Sequence, residues 1–182
     1  MHGKIDLVVH TLCRSGQMGQ IAVGGRVFPC ALGRGGLTHF KREGDGKTPV
    51  GTWRIEQLFW RGDRSMRPGG FGRFFPARAL RINDGWCDAA DDANYNRFVR
   101  HPYAGSAERM WRADHLYDLV VVLAHNRRPR ARGLGSAIFL HVADEGPLGS
   151  LQPTAGCVAL RQRDLVIVMG MIRPGAAVVI LG

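Results

Sequence analysis

Several signatures that would assign a function are missing from this chain. Its four cysteines (Cys13, Cys30, Cys87 and Cys157) form no C-x-x-C pair, which removes zinc-ribbon and thioredoxin-type motifs. Seven histidines include no H-E-x-x-H and no paired-histidine spacing. The acidic stretch Asp84–Asp92, D-G-W-C-D-A-A-D-D, lacks the alternating oxygen ligands of an EF-hand loop. No metal and no cofactor is therefore expected. No apolar run nears the ~20 residues needed to span a bilayer. The N-terminal M-H-G-K-I-D-L-V-V-H-T-L-C-R is too short in its apolar part, and too polar after it, for a secretory signal. Repeats and low-complexity segments are absent. Lysine is scarce: 22 of the 25 basic residues are arginine, and fourteen of these lie between Arg61 and Arg132.

The 182 residues suffice for one domain with a sizeable core. The net charge of +10 would suit nucleic acid, anionic membranes or acidic polymers. No Lys/Arg cluster is interleaved with aromatics as in single-strand binders, so a solvated basic surface is expected and nucleic acid is not. If one thiol is reactive, the other three cannot all pair, which argues against a disulfide scaffold.

The apolar pattern is mostly of period two. Ile5, Leu7 and Val9 alternate with other residues, and Arg26–Leu32, Thr52–Trp60, Leu119–Ala124, Ala137–Val142, Cys157–Leu160 and Ala176–Leu181 read as strands. One helix is expected, with Asp164 as N-cap, Leu165, Val168, Met169 and Ile172 on one face, and Pro174-Gly175 as its stop. Thr48-Pro49-Val50-Gly51 fits a type I turn. Residues 61–117 have no sustained period and read as a long irregular insert, a binding loop or lid. The expected fold is mainly β: sandwich-like mixed or antiparallel sheets with a short C-terminal helix, in one domain over residues 1–182.

One stretch carries chemistry. His141 closes an apolar run, fifteen loop-forming residues follow, and Cys157 opens the next run directly after Gly156. If the two flanking strands are neighbours, imidazole and thiol meet across the sheet. A base beside a thiol is the arrangement of a cysteine nucleophile, and an imidazolium there lowers the thiol pKa. Gly156 admits close approach of substrate, and the N–H groups of Gly156 and Cys157 are candidate oxyanion donors. Thr154 is placed to orient the turn. The competing reading is a buried structural cysteine beside a buried histidine.

Thr154-Ala155-Gly156-Cys157-Val158, preceded by His141, resembles the signature of the L,D-transpeptidase catalytic domain family. Lys47-Thr48-Pro49-Val50-Gly51-Thr52-Trp53 is similar to that family's Thr-Pro-x-Gly-aromatic segment, and Ser136–His141 to its strand ending on the catalytic histidine. The resemblance implies Cys157 as nucleophile, His141 as base, Gly156 in the oxyanion turn, and Thr154 and Ala155 against substrate. It implies peptidoglycan stem peptides as partners, acyl transfer to an amine, a D-amino acid or water, reaction with carbapenems, and work in the periplasm or cell envelope. The absence of a visible signal leaves the cytoplasm open. Two positions depart from the family: Ala155 stands where a second histidine is usual, and Ala159 where Arg or Asn is frequent. Arg161, His125 and Asn126 are candidates to compensate in the groove. The alternatives are a cysteine hydrolase or amidase of another substrate, and a non-catalytic wall- or nucleic-acid-binding domain.

Overall fold

The computed structural model describes residues 6–12, 15–64 and 75–182; Ile5 and Cys13 lie outside them. Strands dominate: β1 (Leu7–Thr11), β2 (Met18–Val23), β3 (Arg26–Ala31), β4 (Leu37–Thr38), β5 (Thr48–Pro49), β6 (Gly51–Trp60), β7 (Ala77–Ala79), β8 (Asp84–Cys87), β9 (Phe98–Arg100), β10 (Ala107–Arg109), β11 (Leu119–Leu123), β12 (Phe139–Val142), β13 (Val158–Leu160) and β14 (Ala177–Ile180). The one α-helix among the described residues, α1 (Gln162–Met171), sits between β13 and β14. The chain is thus mainly β with mixed sheets, as the sequence implies.

Nine strands form one sheet in the order β11-β12-β13-β3-β2-β1-β14-β6-β7, and β11 also pairs with β6. That extra pairing curls the sheet back on itself. Three of its ladders are parallel: β1 with β14, β12 with β13, and β6 with β7. The closed face holds the main core, where Leu7, Ile21, Leu58, Leu119, Val121, Leu140, Val158 and Leu160 meet Leu165, Val168 and Met169 of α1. The helical spacing therefore buries the stripe read from the sequence. Its N-terminus differs: the N-cap is Arg161, with no side-chain cap, and Asp164 lies in the first turn. There its charge still favours the positive end of the helix dipole.

β11 is apolar on both faces, β12 carries only His141 among apolar residues, and a second cluster covers their outer side. Phe59, Trp86, Met110, Tyr117, Val120, Val122, Phe139 and Cys157 belong to it. Much of it comes from the insert, which is more regular than its sequence suggests. β8 pairs antiparallel with β9 and with β10 to make a small sheet of its own. Its period was hidden because these strands are three or four residues long and all four residues of β8 are buried.

The Thr48–Gly51 segment also departs from expectation. It is extended, not turned: Leu37 and Thr38 pair in parallel with Thr48 and Pro49. The Thr48 side chain is fully buried and accepts the Gly33 N–H at 2.8 Å. Those tertiary bonds outweigh the local Pro-x-Gly turn preference.

Arginine fastens the insert to the sheet. The Arg78 guanidinium lies 4.7 Å from the ring centres of both Phe59 (β6) and Phe98 (β9), and pairs with the fully buried Asp84 (β8) at 2.6 Å. Arg127 stacks on Trp86 at 4.8 Å and pairs with Glu56 (β6) at 2.8 Å. Arg61 stacks on Trp111 at 3.7 Å. A flat cation suits this use better than lysine would. Part of the arginine excess between residues 61 and 132 is therefore structural. Removing Arg78 leaves Asp84 buried without its cation, which typically costs about 3 kcal/mol or more. Arg78→Ala should lower the thermal midpoint by roughly 6–12 °C, by the usual scaling for a chain of this size, and Arg78→Lys by less. A midpoint unchanged in Arg78→Ala would contradict this fastening.

Candidate active site

Parallel pairing of β12 with β13 sets Leu140 opposite Val158 and His141 opposite Ala159. One step earlier, Phe139 meets Cys157, and the Phe139 N–H points at the Cys157 sulfur at 3.4 Å. Side chains alternate along a strand, so Phe139, His141, Cys157 and Ala159 share one face while Leu140, Val142, Val158 and Leu160 face the main core. Imidazole and thiol thus reach the same side of the sheet from opposite ends of a long loop. Both line a cleft of about 510 Å³, together with Lys41, Glu43, Asp88, Glu108, Arg112, Tyr117, Ser136, Ala137, Asp144, Thr154, Ala155 and Gly156.

The loop that delivers Cys157 is anchored at both ends. Arg34 N–H donates to Thr154 O, and Thr154 N–H to Leu32 O, each at 2.8 Å. The Thr154 hydroxyl donates to Cys157 O at 2.8 Å and accepts the Gly156 N–H at 3.0 Å. Gly156 has φ +138°, and a Cβ there would stand 2.8 Å from the Lys47 carbonyl oxygen. Only glycine fits. Because Thr154 already takes the Gly156 N–H, that group is not free to bind an oxyanion; the expectation of two donors reduces to the Cys157 N–H.

The pair is electrically quiet. Cys157 is 8% exposed and His141 6%. Burial pushes the thiol up to about 12; Glu108 adds to this, while the Phe139 N–H and Lys41 oppose it. Burial pushes His141 down to about 4. The resting forms are thiol and neutral imidazole, so the expected thiolate–imidazolium pair with a lowered thiol pKa is not what the structure holds. The thiol donates to Ala137 O at 3.2 Å. His141 Nδ1 lies 2.7 Å from Val142 O, which can only accept, so Nδ1 carries the proton and Nε2 is the basic nitrogen. The Tyr117 ring stands edge-on to the imidazole, centre to centre 5.4 Å.

Of the compensating candidates, none reaches the cleft. Arg161 faces a separate surface hollow, where it pairs with Glu145 at 3.2 Å and donates to Gly149 O. Asn126 braces its own loop through Ala131 and Gly135. His125 packs edge-on to Trp53 and donates toward Leu134 O in an adjoining hollow of about 240 Å³. Ala155 is exposed at the cleft wall. The cation that does stand beside the turn is Lys41, 8% exposed and bonded to Asp45 and to Arg42 O. A Cβ on Gly156 would be 3.5 Å from its Nζ. Sequence reading missed Lys41, although a lysine in a chain with only two others was a signal. It missed the Glu108–Tyr117 pair too: the Tyr117 hydroxyl donates to Glu108 at 2.6 Å, and burial raises the Glu108 carboxyl. Cys30 and Cys87 are free, buried and away from the cleft. Among the described residues, no group of three or more His, Cys, Asp or Glu is arranged to hold a metal, and no helix is long and apolar enough to cross a membrane.

No curated protein matches the sequence. Among solved structures, L,D-transpeptidase 1 of Mycobacterium tuberculosis is similar at 10% identity and TM-score 0.39, over 98% of this chain and 63% of that one. L,D-transpeptidase 3 of the same organism, in complex with a faropenem-derived adduct, matches at 14% identity and TM-score 0.43, over 98% and 61%. Bd1075 of Bdellovibrio bacteriovorus matches at 14% and 0.47, over 98% and 48%. The chain spans between about half and just under two thirds of those proteins. The model of the L,D-transpeptidase catalytic domain matches residues 12–180, nearly the full length, and the chain belongs to that family.

Proposed function

We propose that this protein is an L,D-transpeptidase that acts on peptidoglycan stem peptides through a thioester on Cys157. The observation that carries this reading is the shared face of His141 and Cys157 on the β12–β13 ladder, at the floor of the cleft. In the first half-reaction the sulfur attacks the carbonyl that follows an L-centre. The S–C bond forms, the C–N bond to the D-residue breaks, and the thiol proton passes through His141 Nε2 to the leaving amine. In the second, an acceptor amine attacks the thioester, its proton passes through Nε2 back to sulfur, and a new amide forms. Since the resting pair is neutral, the proton must leave sulfur as attack proceeds. Substrate binding has to turn the S–H proton from Ala137 O toward His141 Nε2, with the sulfur kept where the Ala137 carbonyl and the Phe139 N–H hold it. The Cys157 N–H is the oxyanion donor offered by the turn.

The charges suit this chemistry. Glu43, Asp88, Glu108 and Asp144 line the cleft against Lys41 and Arg112. Lys41 is paired with Asp45, and Arg112 with Asp114 at 2.7 Å. An acid-rich cleft in a chain of net charge +10 favours an ammonium-bearing acceptor, while the basic exterior favours an anionic wall polymer. The site of action in this reading is the cell envelope.

Cys157→Ala should abolish product formation from muropeptides, with a midpoint shift under about 4 °C because only one sulfur is lost from a packed site. His141→Ala should lower kcat by about 10² or more, the usual worth of a general base. Wild-type turnover in Cys157→Ala would sink the mechanism, and release of product only to water, with amines present, would make the protein a hydrolase.

The neutral pair sets a pH dependence. The thiol titrates near 12, so alkylation of Cys157 should climb steadily from pH 6 to pH 9. His141 titrates near 4, so the base is intact throughout that range. A plateau in alkylation rate below pH 7 would reveal a preformed thiolate and contradict this reading.

A carbapenem presents a strained carbonyl to the same nucleophile. Intact mass and peptide mapping should place one adduct on Cys157, slowed in His141→Ala, with Cys30 and Cys87 unmodified. Equal labelling of all cysteines would indicate ordinary thiol reactivity.

A further inference from the structure

Cys157 is held by a peptide that is itself held in an unusual shape. The carbonyl that accepts the thiol proton belongs to Ala137, whose φ is +51°. Alanine gains nothing in the left-handed region and costs about 1 kcal/mol or more there. A neighbour must therefore impose it. That neighbour is Asn96, from the far side of the insert, 2% exposed and itself at φ +54°. Its Oδ1 accepts the Ala137 N–H at 3.1 Å and the Trp86 Nε1–H at 2.9 Å. Its Nδ2 donates to His125 O at 3.1 Å and to Asn126 O at 2.8 Å. Its backbone N–H donates to Cys87 O at 2.8 Å, and its carbonyl accepts from Arg127. Both polar atoms of the side chain have partners, so its orientation leaves no choice of rotamer. Asn96 does not line the cleft.

We propose that Asn96 is a positioning residue for the nucleophile: through its bond to the Ala137 N–H it fixes the left-handed Ala137 peptide, whose carbonyl sets the direction of the Cys157 thiol. This rests on the reading of Cys157 as nucleophile. The sulfur lies between two backbone groups, the Ala137 carbonyl and the Phe139 N–H. Only the second belongs to a strand ladder. The first owes its place to a side chain 41 residues earlier in the chain. Asn96 thereby ties the fit of the insert to the aim of the thiol. Misplacing a reacting atom by about 1 Å costs on the order of 10²-fold in rate.

The test separates this role from loop bracing. Asn96→Ala and Asn96→Asp both lose the donations to His125 O and Asn126 O, but only Asn96→Asp keeps an oxygen that can accept from Ala137. A carbonyl that holds the thiol proton favours the neutral form, so freeing Ala137 lets the thiol ionise more readily. The other groups facing the sulfur are Glu108 of β10, Tyr117 before β11, His141 of β12 and Lys41 of the β4–β5 loop, and neither substitution changes them.

At pH 8, iodoacetamide labelling of Cys157, followed by intact mass, should rise at least threefold in Asn96→Ala. It should stay within twofold of wild type in Asn96→Asp. With a muropeptide substrate, Asn96→Ala should lose about tenfold in kcat with KM within twofold. Should Asn96→Ala fail to fold, Ala137→Val reads the same peptide, because a β-branched residue is strongly disfavoured at φ +51°; its labelling should rise likewise. Equal labelling shifts in the two Asn96 variants, or no shift in a folded Asn96→Ala, would overturn the proposal. Labelling needs no peptidoglycan substrate. A protein inactive on muropeptides would refute the proposed function and leave the positioning test readable.

Discussion

The parallel ladder between Phe139–Val142 and Val158–Leu160 governs the rest of the site. A parallel pair needs a long crossover, and here the crossover is the loop from Ala143 to Cys157. The ladder fixes which face each residue takes. A slip of one residue in either strand would turn that strand's own residue, His141 or Cys157, into the main core and bring Leu140 or Val158 to the cleft. That slip is opposed by the apolar set Leu140, Val142, Val158 and Leu160, all buried with α1 against the closed sheet. The packing of the hydrophobic core thus puts His141 and Cys157 on one face of the sheet, toward the same cleft.

Burial sets the chemistry as well. The cluster that covers the outer face of β11 and β12 takes in Cys157 itself, together with Phe139, Tyr117 and Trp86. Desolvation there holds thiol and imidazole in their neutral forms. A neutral thiol is protected from casual oxidation, since the thiolate is the reactive species. The insert serves this end structurally. Its small sheet, pinned by Arg78 and Arg127, supplies Trp86, and Asn96 reaches from it to Ala137.

Much of this was legible in the sequence. Alternation in β1 and β6, the apolar runs of β11, β12 and β14, and the helical stripe Leu165, Val168 and Met169 all depend on local pattern. The motif around Gly156 and Cys157 carried the family. What escaped depends on long-range pairing. β2 was unread because Met18–Val23 mixes glycine and glutamine with its apolar residues. Thr48-Pro49-Val50-Gly51 has the composition of a turn, yet its backbone bonds go to the β4 segment. The three strands of the insert are too short to show a period. Lys41 and Asn96 enter the site through contacts 41 residues or more distant in sequence, to Ala137 and the Gly156 turn. Arg161, adjacent to β13, looked close to the cysteine and faces elsewhere.

The central claim is a covalent acyl enzyme on one buried thiol. The most direct measurement is rapid acid quench of the enzyme with a stem tetrapeptide donor and no acceptor amine, followed by intact mass and peptide mapping. The account predicts a transient gain equal to the donor minus its terminal D-alanine, carried by the peptide that contains Cys157 and discharged when an amine is added. Product formed while the enzyme shows no such gain at any time, or a gain carried by another residue, would contradict it.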